Sequence, residues 1–332
     1  MTEPTAPAGM STGLDVDGIG VTVTGSPEFV GRVLAEHAVY AARPGGGSAV
    51  RITLRGTAGR GAELPTGSIV QRRIRQYVWY ADPGGACWVR MPGSLWKVVR
   101  GPGQVHARGT GSTDGLAEVA RVLLEAEVAA AMESRGCLAL HGAAVERAGR
   151  AVLLLGQSGY GKSTLARNLG GVHGSTVVAD ETCFFDAGDG MLRGYLPHTA
   201  AYGRQHPGLI VTYSDGVVRT LTPAAAVAPP YPVDAVVIIQ PFQARASVLR
   251  PISWQAAFRY LAASAAGGVK ADFRPPDPAA RIADRLHRMG ALLQRSRCYA
   301  MLASRDPAEV AASCASVLAV AEPAATSRTV RR

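Results

Sequence analysis

Residues Ala151–Thr164 read AVLLLGQSGYGKST. The apolar run Ala151–Leu155 predicts a buried strand. Gly156 to Gly161 predicts a tight turn, and Lys162 onward, through LARNL at 165–169, predicts a helix. Every fixed position of the phosphate-loop pattern GxxxxGK(S/T) is filled. Glycines let backbone N–H groups turn inward around an anion, and the helix that follows points its positive end at the same place. The expected cradle comprises Gly156, Ser158, Gly159, Tyr160, Gly161, Lys162, Ser163 and Thr164. Lys162 supplies a mobile point charge for the outer phosphates, and Ser163 a hydroxyl for Mg²⁺. A nucleoside triphosphate, ATP or GTP, is the expected ligand.

The 332 residues suffice for one large or two ordinary domains, and no run approaches a membrane span of roughly 20 apolar residues. MTEPTAPAGMSTG has neither the basic nor the apolar region of a secretory signal. Five cysteines stand apart, never in CxxC spacing, so no disulfide framework or zinc site is expected and a reducing cytoplasm is the default. The net charge of +10 is concentrated. Between Arg43 and Arg108 eleven basic residues face two acidic ones, Glu63 and Asp82. Such a block suits an acidic peptide, a phosphorylated ligand or nucleic acid, or is an arginine-rich solvated surface.

Upstream of the loop, 18–112 alternates apolar and polar residues in short runs (19–24, 49–55, 76–80, 86–90) separated by Gly/Pro turns. This predicts a small, mainly antiparallel, basic β-rich domain after a disordered leader at 1–17, with an amphipathic helix over Pro27–Ala42. Helical spacing without proline predicts a connecting helix at 113–135. The nucleotide domain is expected at 136–320, with a flexible tail at 321–332. The fold class read from this order is α/β, a nucleotide domain preceded by a small β domain.

Two further stretches bear on chemistry. CLALHGAAV at 137–145 carries His141 ahead of the core strand. After the loop, VVAD at 177–180 followed by Glu181 places two carboxylates at a strand's C-terminal end, where open α/β sheets gather site residues. A carboxylate there can hold Mg²⁺ or accept a proton from an attacking hydroxyl. Arg204, in a His/Tyr/Arg-rich stretch, Arg250, and Lys270, in a Gly/Pro-rich stretch, are candidates for steadying the transferred phosphoryl group or the substrate.

LHGAAV at 140–145, GQSGYGKST at 156–164 and VADE at 178–181 resemble, in order and spacing, the HPr kinase/phosphorylase superfamily. LRPISWQAAF at 249–258 and CYAMLASRDPAEV at 298–310 are similar to later stretches of its HPr-kinase-related members. The resemblance covers about 135–320 and implies a P-loop domain like that of phosphoenolpyruvate carboxykinase. It implies that Asp180 is the general base, with His141 beside it and Lys162 on the phosphates, and that Ser163, Asp180 and Glu181 hold Mg²⁺. Glu181 stands where the family has a second aspartate. The RGLG-type signature and the MurF-like partner domain of true HPr kinases are absent. A peptide or protein serine is the first expected acceptor, as in the peptide-tailoring kinases of lasso-peptide type that the chain resembles. Free serine or another metabolite alcohol, or a nucleotide-dependent regulator without transfer, are the alternatives. Neither a membrane nor nucleic acid is an expected partner, and hexameric relatives imply self-association.

Overall fold

The chain opens on a hairpin. β1 (Met10–Val16) and β2 (Ile19–Gly25) pair antiparallel about Asp17–Gly18, whose φ angles of 54° and 76° suit a two-residue hairpin turn. The Asp15 carboxylate accepts the Gly18 N–H at 2.7 Å. α1 (Pro27–Glu36) starts at Ser26, whose hydroxyl accepts the Phe29 N–H, with proline at the first turn where its missing donor does no harm. β3 (Ala41–Ala42) then lies against β1, and β4 (Val50–Ala58) runs parallel to β2. An antiparallel meander follows: β5 (Ile69–Ile74), β6 (Tyr77–Ala81), β7 (Cys87–Met91), β8 (Ser94–Gly101) and β9 (Gln104–Gly111). β9 closes the sheet by pairing parallel with β4, so the order is β3-β1-β2-β4-β9-β8-β7-β6-β5. The structure is a computed structural model that describes residues 9–42, 50–58, 63–74, 77–84, 86–157, 159–170, 174–196, 198–202, 209–212, 218–224, 226–240, 247–265, 279–302, 304 and 307–321.

One face of this sheet is covered by α1 and α2 (Thr113–Ser134). Phe29 packs on Trp96 and over the glycines Gly25 and Gly56; Tyr77 donates to Glu118 at 3.0 Å and Arg100 to Glu127 at 3.0 Å. The indole of Trp96, wholly buried, lies on Gly109, where a Cβ would stand 2.2 Å from its Cε2. Gly109→Ala therefore destabilises this sheet by about 1–3 kcal/mol, the range for an overpacked core, measurable as an earlier urea midpoint with unchanged slope.

The chain divides into two compact units, and their membership departs from the expected boundaries. The first unit holds the described residues up to Ala131 together with the 197–227 segment, which lies inside the stretch expected to be the nucleotide domain. That segment forms its own sheet, β16 (His198–Tyr202), β17 (Leu209–Thr212) and β18 (Val218–Pro223), in the order β16-β18-β17; the Asp215–Gly216 turn lies outside the described residues. α1 packs near β18. Three expectations are corrected. The leader is a strand from Met10, because the 17–18 turn folds it onto β2. The N-terminal sheet has nine strands, so it is not small; most of its pairings are antiparallel, as expected, and two, β2–β4 and β4–β9, are parallel. The 27–42 helix stops at Glu36, because Ala41–Ala42 is taken up by pairing with β1.

In the second unit β10 (Cys137–Leu140), β11 (Gly142–Arg147), β12 (Arg150–Leu155), α3 (Lys162–Leu169), β13 (Thr176–Ala179), β14 (Thr182–Asp186) and β15 (Met191–Tyr195) precede β19 (Tyr231–Gln240). β20 (Val248–Pro251), α4 (Trp254–Ala265), α5 (Ala279–Arg295), β21 (Arg297–Leu302) and α6 (Pro307–Ala321) complete it. β12, β19 and β21 are mutually parallel and buried, as near-continuous apolar runs require. Val152, Leu154, Val237 and Ile239 face Leu165 and Leu169 of α3 and Val317 and Leu318 of α6; α4 and α5 cover the other face. The protein is thus mixed α/β, with two large mixed sheets and six helices among the described residues. No described helix is long and apolar enough to cross a membrane, and the five cysteines are buried thiols.

Candidate functional site

The parallel strands set the site's position. β12 ends at Leu155, and the next residue, Gly156, passes so close to β19 that a Cβ would lie 2.6 Å from the Ile239 carbonyl. Gly156, Gly159 and Gly161 have φ of 150°, 85° and 88°, all in the region that disfavours side chains. Gly161 begins α3 without a side-chain cap, leaving the first-turn N–H groups without the partner that a Ser or Asp would give. The Tyr160 hydroxyl donates to Gln157 Oε1 at 2.9 Å while its ring packs against the core beneath α3. Thr164 is exposed on α3, and Ser158 lies outside the described residues.

Lys162 is 5 % exposed, with Nζ curled back over the loop to donate to Gly156 O and Gln157 O, each at 2.9 Å. Burial pulls its pKa below the usual lysine range, against the pull of the Glu181 and Asp180 carboxylates. Asp180, 8 % exposed, sits immediately beyond β13. Burial raises its pKa, opposed by a hydrogen bond from Ser163 and reinforced by the charge of Glu181; Arg167 and the Glu181 N–H, 3.0 Å from Oδ1, also lower it. Lys162, Ser163, Asp180 and Glu181 therefore form one electrostatic group.

The turn from β13 to β14 is unusual. Glu181 has φ of 68°, strained for a residue with a side chain. Its carbonyl receives two donors, Gly142 N–H at 3.3 Å and His141 Nδ1 at 2.9 Å. A carbonyl can only accept, so Nδ1 carries the proton and the neutral ring's lone pair is at Nε2. The Thr182 N–H closes on Asp180 O at 2.9 Å. Gly142 is needed because a Cβ there would meet Leu155 Cδ2 at 2.7 Å and Leu154 O at 2.9 Å. The His-Gly pair is thus a clamp on the acidic turn. His141 reaches the backbone carbonyl of Glu181, the residue after Asp180.

Of the remaining candidates, Arg204 and Lys270 lie outside the described residues. Arg250 is exposed on β20, level with Ala300, Ile238 and Leu155 across β21, β19 and β12. Three strand spacings put it roughly 14 Å across the sheet from the loop. Leu249 packs with the α3-side core, so Arg250, its neighbour, is on the opposite face. Among the described residues no three or more His, Cys, Asp or Glu converge to hold a metal by themselves.

Two contributors escaped the sequence reading. Arg167 is half-buried, donates to Ser163 O at 3.2 Å and faces Asp180; its i+4 spacing from Ser163 made it findable. Thr182 is 1 % exposed, and its Oγ1 has no hydrogen-bond partner. Thr182→Val removes that orphan hydroxyl at nearly constant shape and is expected to raise stability by about 1 kcal/mol in a urea melt. Compared with known proteins, the chain matches no family model and no curated protein. Its own side chains carry the functional reading.

Proposed function

We propose that the chain is an ATP- and Mg²⁺-dependent kinase with an HPr-kinase-like P-loop domain that transfers the γ-phosphoryl group to the hydroxyl of a peptide or protein serine. The observation that carries the reading is Asp180. It is a buried carboxylate that accepts the Glu181 N–H, within electrostatic reach of Ser163 and Lys162, and burial raises its proton affinity. Such a group takes up a proton more readily than an exposed aspartate.

The residues fit a nucleotide polyphosphate. The uncapped α3 N-terminus and the left-handed glycines offer N–H donors, and Lys162 has two carbonyl partners that it can exchange for phosphate oxygens. They also fit Mg²⁺, which needs only one or two protein oxygens beside phosphate and water; Ser163 and Asp180 would hold it, with Glu181 adjacent. When bound, Mg²⁺ neutralises charge developing on the phosphate oxygens. Lys162 orients the outer phosphates. Asp180 accepts the acceptor hydroxyl's proton at its carboxylate as that oxygen bonds to the γ-phosphorus and the γ-phosphorus–bridging-oxygen bond breaks, ADP leaving with the electron pair. Arg167 balances the negative charge around Asp180, and the His141 clamp holds the strained turn that aims it.

Incubation with γ-labelled ATP and Mg²⁺, against serine-containing peptides and free serine, tests the proposal. Label in the peptide that disappears with Lys162→Ala supports it. Label in free serine alone moves the protein to metabolite kinases. Intact ATP binding with no transfer to either acceptor would make it a nucleotide-dependent regulator and end the kinase reading.

A further inference from the structure

Among the described residues, the face of the N-terminal sheet turned away from α1 and α2 carries an excess of positive charge, met at its β7 end by the Asp82 carboxylate, which lies within electrostatic reach of Lys97. Side chains on that face are settled by alternation. Ile52 and Leu54 of β4, Trp96 and Val98 of β8, and Ala107 of β9 are buried on the helix side. Arg51 and Arg55 of β4, Arg108 of β9, Lys97 of β8 and Arg90 of β7 therefore lie on the other side, and all five are exposed. No Asp or Glu occurs anywhere in β4, β9, β8 or β7.

Register sharpens the point. Arg55 lies beside Arg108, Arg108 opposite Lys97, and Lys97 opposite Trp88. Three like charges thus occupy successive positions in one row, with strands about 4.8 Å apart. Like charges directly opposite one another across a sheet are destabilising, and neighbouring positions are usually filled by opposite signs or by Thr. A row that keeps three cations side by side gives up stability that an anionic ligand would restore.

We infer that this open face docks an extended acidic peptide segment, its carboxylates lying against Arg55, Arg108 and Lys97, with Arg51 and Arg90 flanking the row. The choice of a peptide among acidic ligands rests on the kinase reading above. It is also favoured by Trp88, the aromatic residue that borders Lys97 in the row, with the half-buried Tyr80 beyond it on β6. Trp88 is only 8 % exposed, holds the Lys97 ammonium 5.5 Å from its ring centre, and donates Nε1–H to Asp82 at 2.9 Å. A ring so covered and tethered gives no platform for stacking bases, which single-stranded nucleic acid requires. A flat, charged, strand-lined surface instead suits a peptide whose alternate side chains meet it.

The test is fluorescence anisotropy on the full chain without nucleotide, using a labelled peptide of alternating Glu and Ala, an uncharged peptide of equal length, and an oligo-dT of matched charge. The acidic peptide should bind the wild type and lose affinity by about tenfold or more in Arg55→Gln/Lys97→Gln/Arg108→Gln, consistent with loss of three close charge contacts. The same variant should melt no earlier than wild type, because repulsion has been removed. Arg108→Gln alone, at the centre of the row, repeats the test with about a threefold loss should the triple variant melt early. Equal binding by wild type and the variants overturns the inference, as does an uncharged peptide binding equally well or oligo-dT binding more than tenfold tighter than the acidic peptide. The kinase reading fails separately. Asp180→Asn should bind the acidic peptide like wild type, and absence of phosphoryl transfer by the wild-type chain with its peptide binding intact would remove the kinase assignment while leaving the docking face.

Discussion

If the proposed kinase activity holds, Asp180→Asn should lower phosphoryl transfer by about 10²–10⁴-fold, the range for loss of a positioned general base, while ATP binding stays within a few fold. The same substitution should make the protein more stable at neutral pH. Burial raises the folded-state pKa of Asp180 above its ordinary value of 3.8. A carboxyl whose pKa is raised on folding favours the folded state while protonated, and that advantage is lost as pH climbs from the unfolded value through the folded one. Once ionised, the wild-type carboxylate holds a charge where burial disfavours it, and asparagine does not. The melting temperature of the variant should exceed that of wild type at about pH 7, with the gap closing near pH 3, where aspartate is protonated in both states. Full activity in Asp180→Asn would sink the base assignment, and a melting gap that widened on acidification would contradict the burial argument.

The second large effect is expected at a residue with no chemistry of its own. Gly194 in β15 stands opposite Cys183, and a Cβ placed on it would lie 1.9 Å from the Val178 carbonyl, two residues before Asp180. Backbone cannot rotate out of the way as a side-chain tip can. Gly194→Ala must push β13 and β15 apart, at about 3 kcal/mol, the upper end for overpacking. Because β13 delivers Asp180, kcat should fall in the fraction that remains folded while the affinity for ATP, held by the loop after β12, changes little. Wild-type stability in this variant would show that the strands have slack, and wild-type kcat that Asp180 does not depend on their spacing.

What could be read from the sequence was local. The strand, glycine turn and helix at 151–169 are contiguous, and each residue's preference agrees with its neighbours'; α4 over Trp254–Ala265 and α2 were legible from helical spacing for the same reason. The Asp17–Gly18 hairpin was equally local, but its first strand was overlooked beside a loop-like leader. β8 and β9 were obscured by glycines whose purpose is tertiary: Gly109 is there for the indole of Trp96, not for the strand. The parallel closure of β9 on β4 is a pairing between distant segments and left no local trace. At the site, His141, Lys162, Ser163, Asp180 and Glu181 were legible by type and order. The clamp on Glu181 O was not, since it depends on a backbone carbonyl that any residue possesses. The electrostatic proximity of Tyr260 in α4 to Tyr160 in the loop joins residues far apart in sequence and could be found only in three dimensions.

The 197–227 segment belongs to the unit that the chain had left at residue 131. During synthesis, then, the N-terminal unit cannot be finished when its nine-stranded sheet has emerged from the ribosome. It must wait until Asp180 and the glycine loop have also been made and the chain has reached Val227, a matter of seconds at ordinary elongation rates. Vectorial folding, one domain sealed before the next begins, is closed to this protein, and a nascent chain halted shortly after Leu196 would carry both units incomplete.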